Sequence, residues 1–336
     1  MTLDSPFPSD RRARVAIDLG AESCRVSLLR WKDGKPELTL AHRISNGPVH
    51  HGKSLRWPLS AILAGVDDGL RKAAAIAEEG IASIGVDGWA VDYVRLGKDG
   101  KPFDNPFCYR DERTLAMHER VERQIDPEAL FAQTGAQPIR INTVYQLLAD
   151  SEAGMDPATP WINLPEYVLY WLGGNRVAEF TNATHSGLIE LKTGTWSSEL
   201  FERLGLSLDA APPVVSSGST VGMLKGPLAK LAAYRSTALI APACHDTASA
   251  IAGIGSRMEA TAYICSGTWS LVGARLSQAI TSPEALMARY TNQGAAGGGF
   301  LFHSNVNGMW LIKQCMESWA AKGRSWKIET LVELAR

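Results

Sequence analysis

Apolar and polar positions alternate along the chain with two periods, and the switches between them mark out the elements. The run Val15, Ala16, Ile17 predicts a buried strand that stops at Asp18-Leu19-Gly20, and after a short polar loop Val26 to Trp31 predicts a second strand. Pro58 opens a helix whose apolar residues Leu59, Ile62, Leu63, Val66, Leu70, Ala73 and Ala77 recur at three- and four-residue steps until Gly80. Ile81 to Val86 predicts a short strand ending at Asp87-Gly88-Trp89, and Val91 to Leu96 another, closed by Lys98-Asp99-Gly100. Residues 114 to 174 read as short helices, with starts at Asp126-Pro127-Glu128 and Pro165-Glu166 and a stop at Gly135. Strand character returns at Thr237 to Ile240, just before Cys244-His245-Asp246. Strands alternate with helices, so the pattern predicts an α/β fold with a mixed sheet and a helical insertion.

Thr261 to Arg275 repeats the design of residues 14 to 31: an apolar strand, a Gly/Ser/Thr tip and an apolar strand going back. Two such hairpins, far apart in the chain, imply two similar domains that each present a small-residue loop to a common cleft. Such loops offer the backbone N–H groups and hydroxyls that a phosphate chain needs. Asp18, Asp87 and Asp246 each follow an apolar strand. One acid there is usually a turn former or helix cap, but three point to the ligand crevice outside the strand ends of an open sheet. His245 adds a donor beside Asp246, the candidate base.

Composition narrows the partners. The 336 residues are 45% hydrophobic and 21% charged, with a formal net charge of −1. That is ordinary for a globular chain and leaves no electrostatic footprint for nucleic acid or an anionic membrane. Five cysteines, an odd number without a C-x-x-C pair, make a disulfide framework or structural zinc site unexpected. The N-terminal tail has no apolar signal region, and no stretch of about 18 apolar residues occurs, so a cytosolic protein is expected. Residues 47–54, GPVHHGKS, spell a P-loop. The context rejects it, because Glu37 to Asn46 is polar and interrupted and the next helix begins only at Pro58. The charged run Tyr109 to Arg113 reads as a solvated face or as part of a site. Asn182-Ala183-Thr184 is a glycosylation sequon by letter only. Trp89 and Trp269 stand beside the proposed loops, as sugar-stacking or as core residues.

Eight segments carry a family resemblance: Asp18 to Arg25 (DLGAESCR), Gly85 to Asp92 (GVDGWAVD), Tyr109 to Thr114 (YRDERT), Asn142 to Leu147 (NTVYQL), Thr181 to Thr184 (TNAT), His245 to Ala250 (HDTASA), Ser266 to Gly273 (SGTWSLVG) and Thr291 to Gly294 (TNQG). In these segments and their order the sequence resembles the FGGY carbohydrate kinases. The resemblance implies an actin-like ATPase fold of two RNase-H-like domains, with ATP and sugar in the cleft between them. It divides the chain into a tail (1–13), a sugar-binding domain with a helical insertion (14–248) and the start of an ATP-binding domain (249–336).

By the same resemblance Asp18, with the loop through Gly20, Ala21 and Ser23, places Mg2+ and the phosphates, while Ser266, Gly267 and Thr268 hold the γ-phosphate. Asp246 matches the general base, Gly88, Trp89 and His245 line the sugar site, Asp87 supports it, and Asn292 touches the nucleotide. The implied reaction is ATP-dependent phosphorylation of L-rhamnulose at O1, with L-fuculose or another ketose or polyol as alternative. Such a transfer needs a carboxylate near the attacking hydroxyl, and donors and a metal around the phosphoryl group. Cys24 and Ala90 depart from the pattern, each standing where glycine is usual, and Cys24 is expected to crowd the first phosphate loop. The family also continues beyond residue 336 into a Gly-rich adenosine pocket. Ser325 to Arg336 reads as an amphipathic helix without a stop signal, so an incomplete second domain is expected, and with it a third reading, a non-catalytic sugar-binding remnant.

Overall fold

The computed structural model describes residues 10–255, 262–267 and 269–336. The opening alternation becomes strand β1 (Ala13–Leu19), with Ala13, Val15, Ile17 and Leu19 buried. Strand β2 (Ser23–Lys32) returns antiparallel, setting Ile17 opposite Val26 and Asp18 opposite Arg25. The segment that reads as polar and interrupted is strand β3 (Lys35–Ser45). It lies at the edge of the sheet. Most of its residues meet solvent, so it lacks the apolar pattern of an interior strand.

Helix α1 (Leu59–Ile76) packs its predicted stripe, Leu59, Ile62, Val66, Leu70 and Ala73, into the main core. Strand β4 (Ile81–Gly88) runs parallel to β1 with Asp87 level with Asp18. Strands β5 (Ser219–Met223) and β6 (Ala238–Ala241) complete a mixed six-stranded sheet in the order β5-β6-β4-β1-β2-β3. Because strand side chains alternate with period two, the odd positions of β1 fill the core and Asp18 emerges on the opposite face.

The insertion is helical as expected. Asp126 caps the helix Pro127–Thr134 by accepting from the N–H groups of Glu128 and Ala129, and Gly135 ends it at φ 61°. Helix α2 (Thr143–Glu152) helps build a second core with Tyr93, Leu130, Trp161 and Phe201. The strand expected over Val91 to Leu96 shrinks to Tyr93–Arg95 and leaves the main sheet to pair with Trp161–Asn163. The charged run is solvated only at Arg110 and Glu112: the Asp111 carboxylate accepts from the Leu55 N–H at 2.6 Å, and Arg113 with Arg95 clamps the buried Asp150.

After β6 comes helix α3 (Asp246–Ile254), and then a second, antiparallel sheet. Its strands β7 (Ala262–Ser266), β8 (Trp269–Leu276), β9 (Tyr290–Gly294) and β10 (Phe300–Asn307) stand in the order β7-β8-β10-β9. The predicted second hairpin is β7–β8; its Thr268 lies outside the described residues. Helices α4 (Trp310–Ala321) and α5 (Ile328–Leu334) follow and bury none of their residues. The apolar stripe predicted near the C-terminus therefore faces no core here.

Two motifs resolve as structure. GPVHHGKS folds as a hairpin of Val49–His51 and Ser54–Arg56, and its Lys53-Ser54 pair opens a strand and not a helix, so it cannot cradle phosphate as a P-loop does. Asn182 is 1% exposed and donates its amide to Glu166 at 2.8 Å, which closes it to a glycosylating enzyme in the folded state. No described helix is long and apolar enough to cross a membrane.

Candidate active site

A cleft of about 1030 Å3 opens where the carboxyl ends of β1 and β4 and the start of α3 meet the β7–β8 hairpin. Asp18, Gly20, Ala21, Ser23, Asp87, Trp89, His245, Asp246 and Gly267 all line it. Gly20 makes the first turn possible, since a Cβ there would lie 2.5 Å from the Ser23 carbonyl oxygen. Cys24 does not crowd this loop. It is an inward residue of β2, fully buried, with its thiol toward the Gly20 carbonyl and its pKa pushed up to about 12 by burial.

Three carboxylates share the cleft. Asp18 is paired with Arg25 at 2.6 Å, and burial outweighs that guanidinium to raise its pKa. Burial first, and then repulsion from Asp18 and Asp246, lifts Asp87 to about 8 against a pull from the Ser249 hydroxyl. Without a cation beside it, Asp87 therefore holds a proton at neutral pH. An acid whose folded pKa is raised costs stability as pH climbs from its unfolded value to its folded one, because the native state retains a proton the unfolded chain releases. Asp87→Asn should match the parent near pH 4 and be more stable by about 1 to 3 kcal/mol at pH 8. Melting at both pH values checks this; equal midpoints at pH 8 would refute it.

Asp246 opens α3 with His245 as its N-cap. Its Oδ1 accepts from the Thr247 N–H and hydroxyl and lies 3.2 Å from His245 Nε2. Among the described residues no donor reaches Oδ2. The side chain keeps 43% of its surface open to the cleft, yet the surrounding protein raises its pKa to about 6, so it is mostly ionised at neutral pH. One oxygen is thus fixed and the other free to accept a proton. Behind it, Glu179 accepts from the Cys244 N–H at 2.8 Å, and the Thr181 hydroxyl accepts from the His245 N–H at 3.3 Å. These bonds hold the loop that carries the acid.

Trp89 is both a core and a cleft residue. It packs on Trp57 with ring centroids 4.2 Å apart. A fully buried acid absent from the sequence-level site, Asp92, accepts from Trp57 Nε1 at 2.6 Å, Trp89 Nε1 at 2.9 Å and the Tyr109 N–H at 3.2 Å, with Gln146 on its other oxygen. Its neighbour Val91 lines the cleft at φ 72°, a costly conformation for a β-branched residue, held by the Thr143 hydroxyl at 2.9 Å. Asp92→Asn keeps one acceptor oxygen for the two indoles but sets an N–H2 against the donating amide of Gln146, so the support beneath Trp89 loses that bond. It should weaken sugar binding about tenfold, read as tryptophan fluorescence titrated with ketose; unchanged affinity would deny Asp92 that orienting role.

Other sequence-level candidates stay out of the cleft. Gly88 sits beneath it, where a Cβ would lie 2.7 Å from that of Leu19, and its N–H donates to the Cys244 carbonyl. Ser266 is exposed beside Ser270, and Gly267, which does line the cleft, spends its N–H on the Trp269 carbonyl at 2.8 Å. Asn292 is 1% exposed and uses its side chain to tie Ile280 and Gly135 together. Its long-range partners turn it away from the cleft.

Asp18 and Asp87, level on adjacent strands, offer the hard oxygen donors that Mg2+ prefers, and Mg2+ usually takes one or two carboxylates together with substrate phosphates. The residues present fit a metal that arrives with its nucleotide. Among the described residues no group of three His, Cys, Asp or Glu side chains forms a cage for a metal by itself.

The profile described as "FGGY family of carbohydrate kinases, N-terminal domain" matches residues 13–253. The chain belongs to the FGGY family. Among curated relatives of this FGGY chain, the rhamnulokinase of Ligilactobacillus salivarius (strain UCC118) is 34% identical over 308 residues, covering 91% of this chain and 63% of that protein. The rhamnulokinase of Pectobacterium atrosepticum is 38% identical over 311 residues, covering 90% and 61%. The chain thus spans about three fifths of the length of the curated relatives it matches. The gluconate kinase of Lactobacillus acidophilus shares the fold with a TM-score of 0.78 at 19% identity, over 90% of this chain and 62% of that one. A Plasmodium falciparum glycerol kinase solved with ADP aligns with a TM-score of 0.73 at 14% identity, over 90% and 64%.

Proposed function

We propose that the chain carries the sugar side of an ATP-dependent kinase that transfers the γ-phosphoryl group of Mg-ATP to O1 of L-rhamnulose. The observation that carries this reading is the half-satisfied carboxylate of Asp246, with Oδ1 saturated by donors and Oδ2 open to the cleft. A ketose hydroxyl placed against Oδ2 loses its proton as its oxygen attacks phosphorus and the bond to ADP breaks. Trp89 on its Trp57 and Asp92 support gives the sugar an apolar wall, and His245 lines the cleft beside the base. Asp18, Asp87 and the Gly20 to Ser23 turn face the metal and phosphates, and Ser266 and Thr268 belong to the hairpin assigned to the γ-phosphate. The names of the relatives point to rhamnulose over other ketoses.

The test is a panel of ketoses and polyols with ATP, read as ADP release. L-rhamnulose should have the highest kcat/KM; turnover of L-fuculose or another ketose in its place reassigns the substrate.

Helices α4 and α5, which bury none of their residues, favour a second reading, a chain that binds sugar without using nucleotide. Separate calorimetric titrations distinguish the two. Heat with sugar alone favours this reading, and tight ATP binding removes it.

A further inference from the structure

Gln293 lies on β9 with 1% exposure, and its Nε2 donates to Nδ1 of His245. A neutral imidazole carries one ring proton, so a ring that accepts at Nδ1 carries that proton on Nε2. Nε2 is the atom that faces Asp246 Oδ1 at 3.2 Å. We propose that Gln293 is a positioning residue: it locks His245 as the Nε2–H tautomer, so that His245 donates to Asp246 Oδ1 and leaves Oδ2 for the substrate proton.

The opposite tautomer would set a ring lone pair against a carboxylate oxygen, two acceptors with no proton between them. A doubly protonated ring does not rescue that arrangement, because burial and the nearby His303 drive the His245 pKa down to about 3. The ring is fixed in place as well, with the His185 ring 4.2 Å from it.

Gln293 itself is held through both of its chain neighbours by the first domain. The flanking Asn292 N–H donates to the Gly135 carbonyl at 2.8 Å, and the Gly294 N–H donates to the Thr184 hydroxyl at 2.9 Å. Strand β9 belongs to the second sheet, whereas Gly135 and Thr184 belong to the first domain. The proton state of the base's neighbour is therefore set by a residue from the other domain, and the base is complete only when the two are docked. The consequence for turnover rests on Asp246 being the base; the tautomer does not.

The experiment is long-range 1H–15N NMR on the chain labelled with 15N-histidine, with His245 assigned by loss of its signals in His245→Asn. The expected result is a protonated Nε2 and a bare, hydrogen-bonded Nδ1 between pH 6 and 8. In Gln293→Leu the Nδ1 resonance should move as it loses its donor. The same variant should lose about tenfold in kcat, the worth of one buried hydrogen bond, with KM for ATP unchanged. A wild-type His245 protonated on Nδ1 overturns the proposal, as does an Nδ1 resonance that Gln293→Leu leaves in place. If the variant does not fold, the wild-type spectrum still decides. If the wild type shows this tautomer but no turnover, the kinase reading fails and the tautomer stands.

Discussion

Asp246→Asn is expected to reduce kcat by at least about a hundredfold, the lower end of what a positioned general base contributes. The fold should survive, since the Asn carbonyl oxygen can keep the bonds from Thr247 and His245 while the N–H2 takes the place of Oδ2. Sugar affinity should change little, which separates a lost base from a lost binding site. In the parent, kcat/KM should fall tenfold per pH unit below about 6, because in the proposed mechanism Asp246, raised to about that value, must be unprotonated to accept the hydroxyl proton. Activity is thus lost as pH falls through the folded pKa and retained above it. Near-normal turnover by the variant, or a flat profile down to pH 4, removes Asp246 from the role.

Asp150→Ala should produce the largest loss of stability. Asp150 has a side chain 6% exposed and accepts from Arg95 Nε at 2.8 Å, from Arg113 and from the Tyr93 hydroxyl at 2.6 Å. Both arginines are themselves largely buried. Removing the shared anion strands two cations where water cannot repay them, a loss of about 3 to 5 kcal/mol and on the order of 10 °C in melting temperature. Function should follow, because Arg113 also holds Gln146, and Gln146 holds Asp92 beneath Trp89. Thermal melting and sugar titration of one preparation check both halves. A loss under about 1 kcal/mol would mean that the network is as weak as an exposed ion pair.

The two predictions differ in how legible their residues are. Asp246 follows an apolar strand and precedes a run of small residues, so its place at the mouth of a crevice can be read from its neighbours alone. Nothing beside Asp150 in sequence distinguishes it from a surface acid, and Asp92, though it closes the segment GVDGWAVD, carries no local sign of its partners. Apart from Trp89, three residues from Asp92, their partners lie 17 to 57 residues away, from the Tyr109 N–H to the Tyr93 hydroxyl, and only folding brings them within bonding distance. The same separation hid Gln293, whose target His245 is 48 residues distant. It also turned Asn292, one residue earlier, into a structural pin and not a wall of the cleft. Edge strand β3 was illegible for another reason. A strand covered on few sides needs no apolar pattern, so Glu37 to Asn46 read only as polar and interrupted.

By itself the sequence determined what short-range periodicity can encode: strand β1 with Asp18 at its end, helix α1, the strand that ends at Asp87, the acid at the start of α3, and two hairpins with small-residue tips. Those features follow from the local repeats of 2.0 and 3.6 residues, which assign each side chain to a face whatever lies beyond it. Only the tertiary structure decided which polar side chains find partners. It joined Asp92 to two indoles, Asp150 to two arginines and Gln293 to His245. A buried polar group is stable only when distant parts of the chain supply its hydrogen bonds, and that pairing is a property of packing, not of any local window of residues.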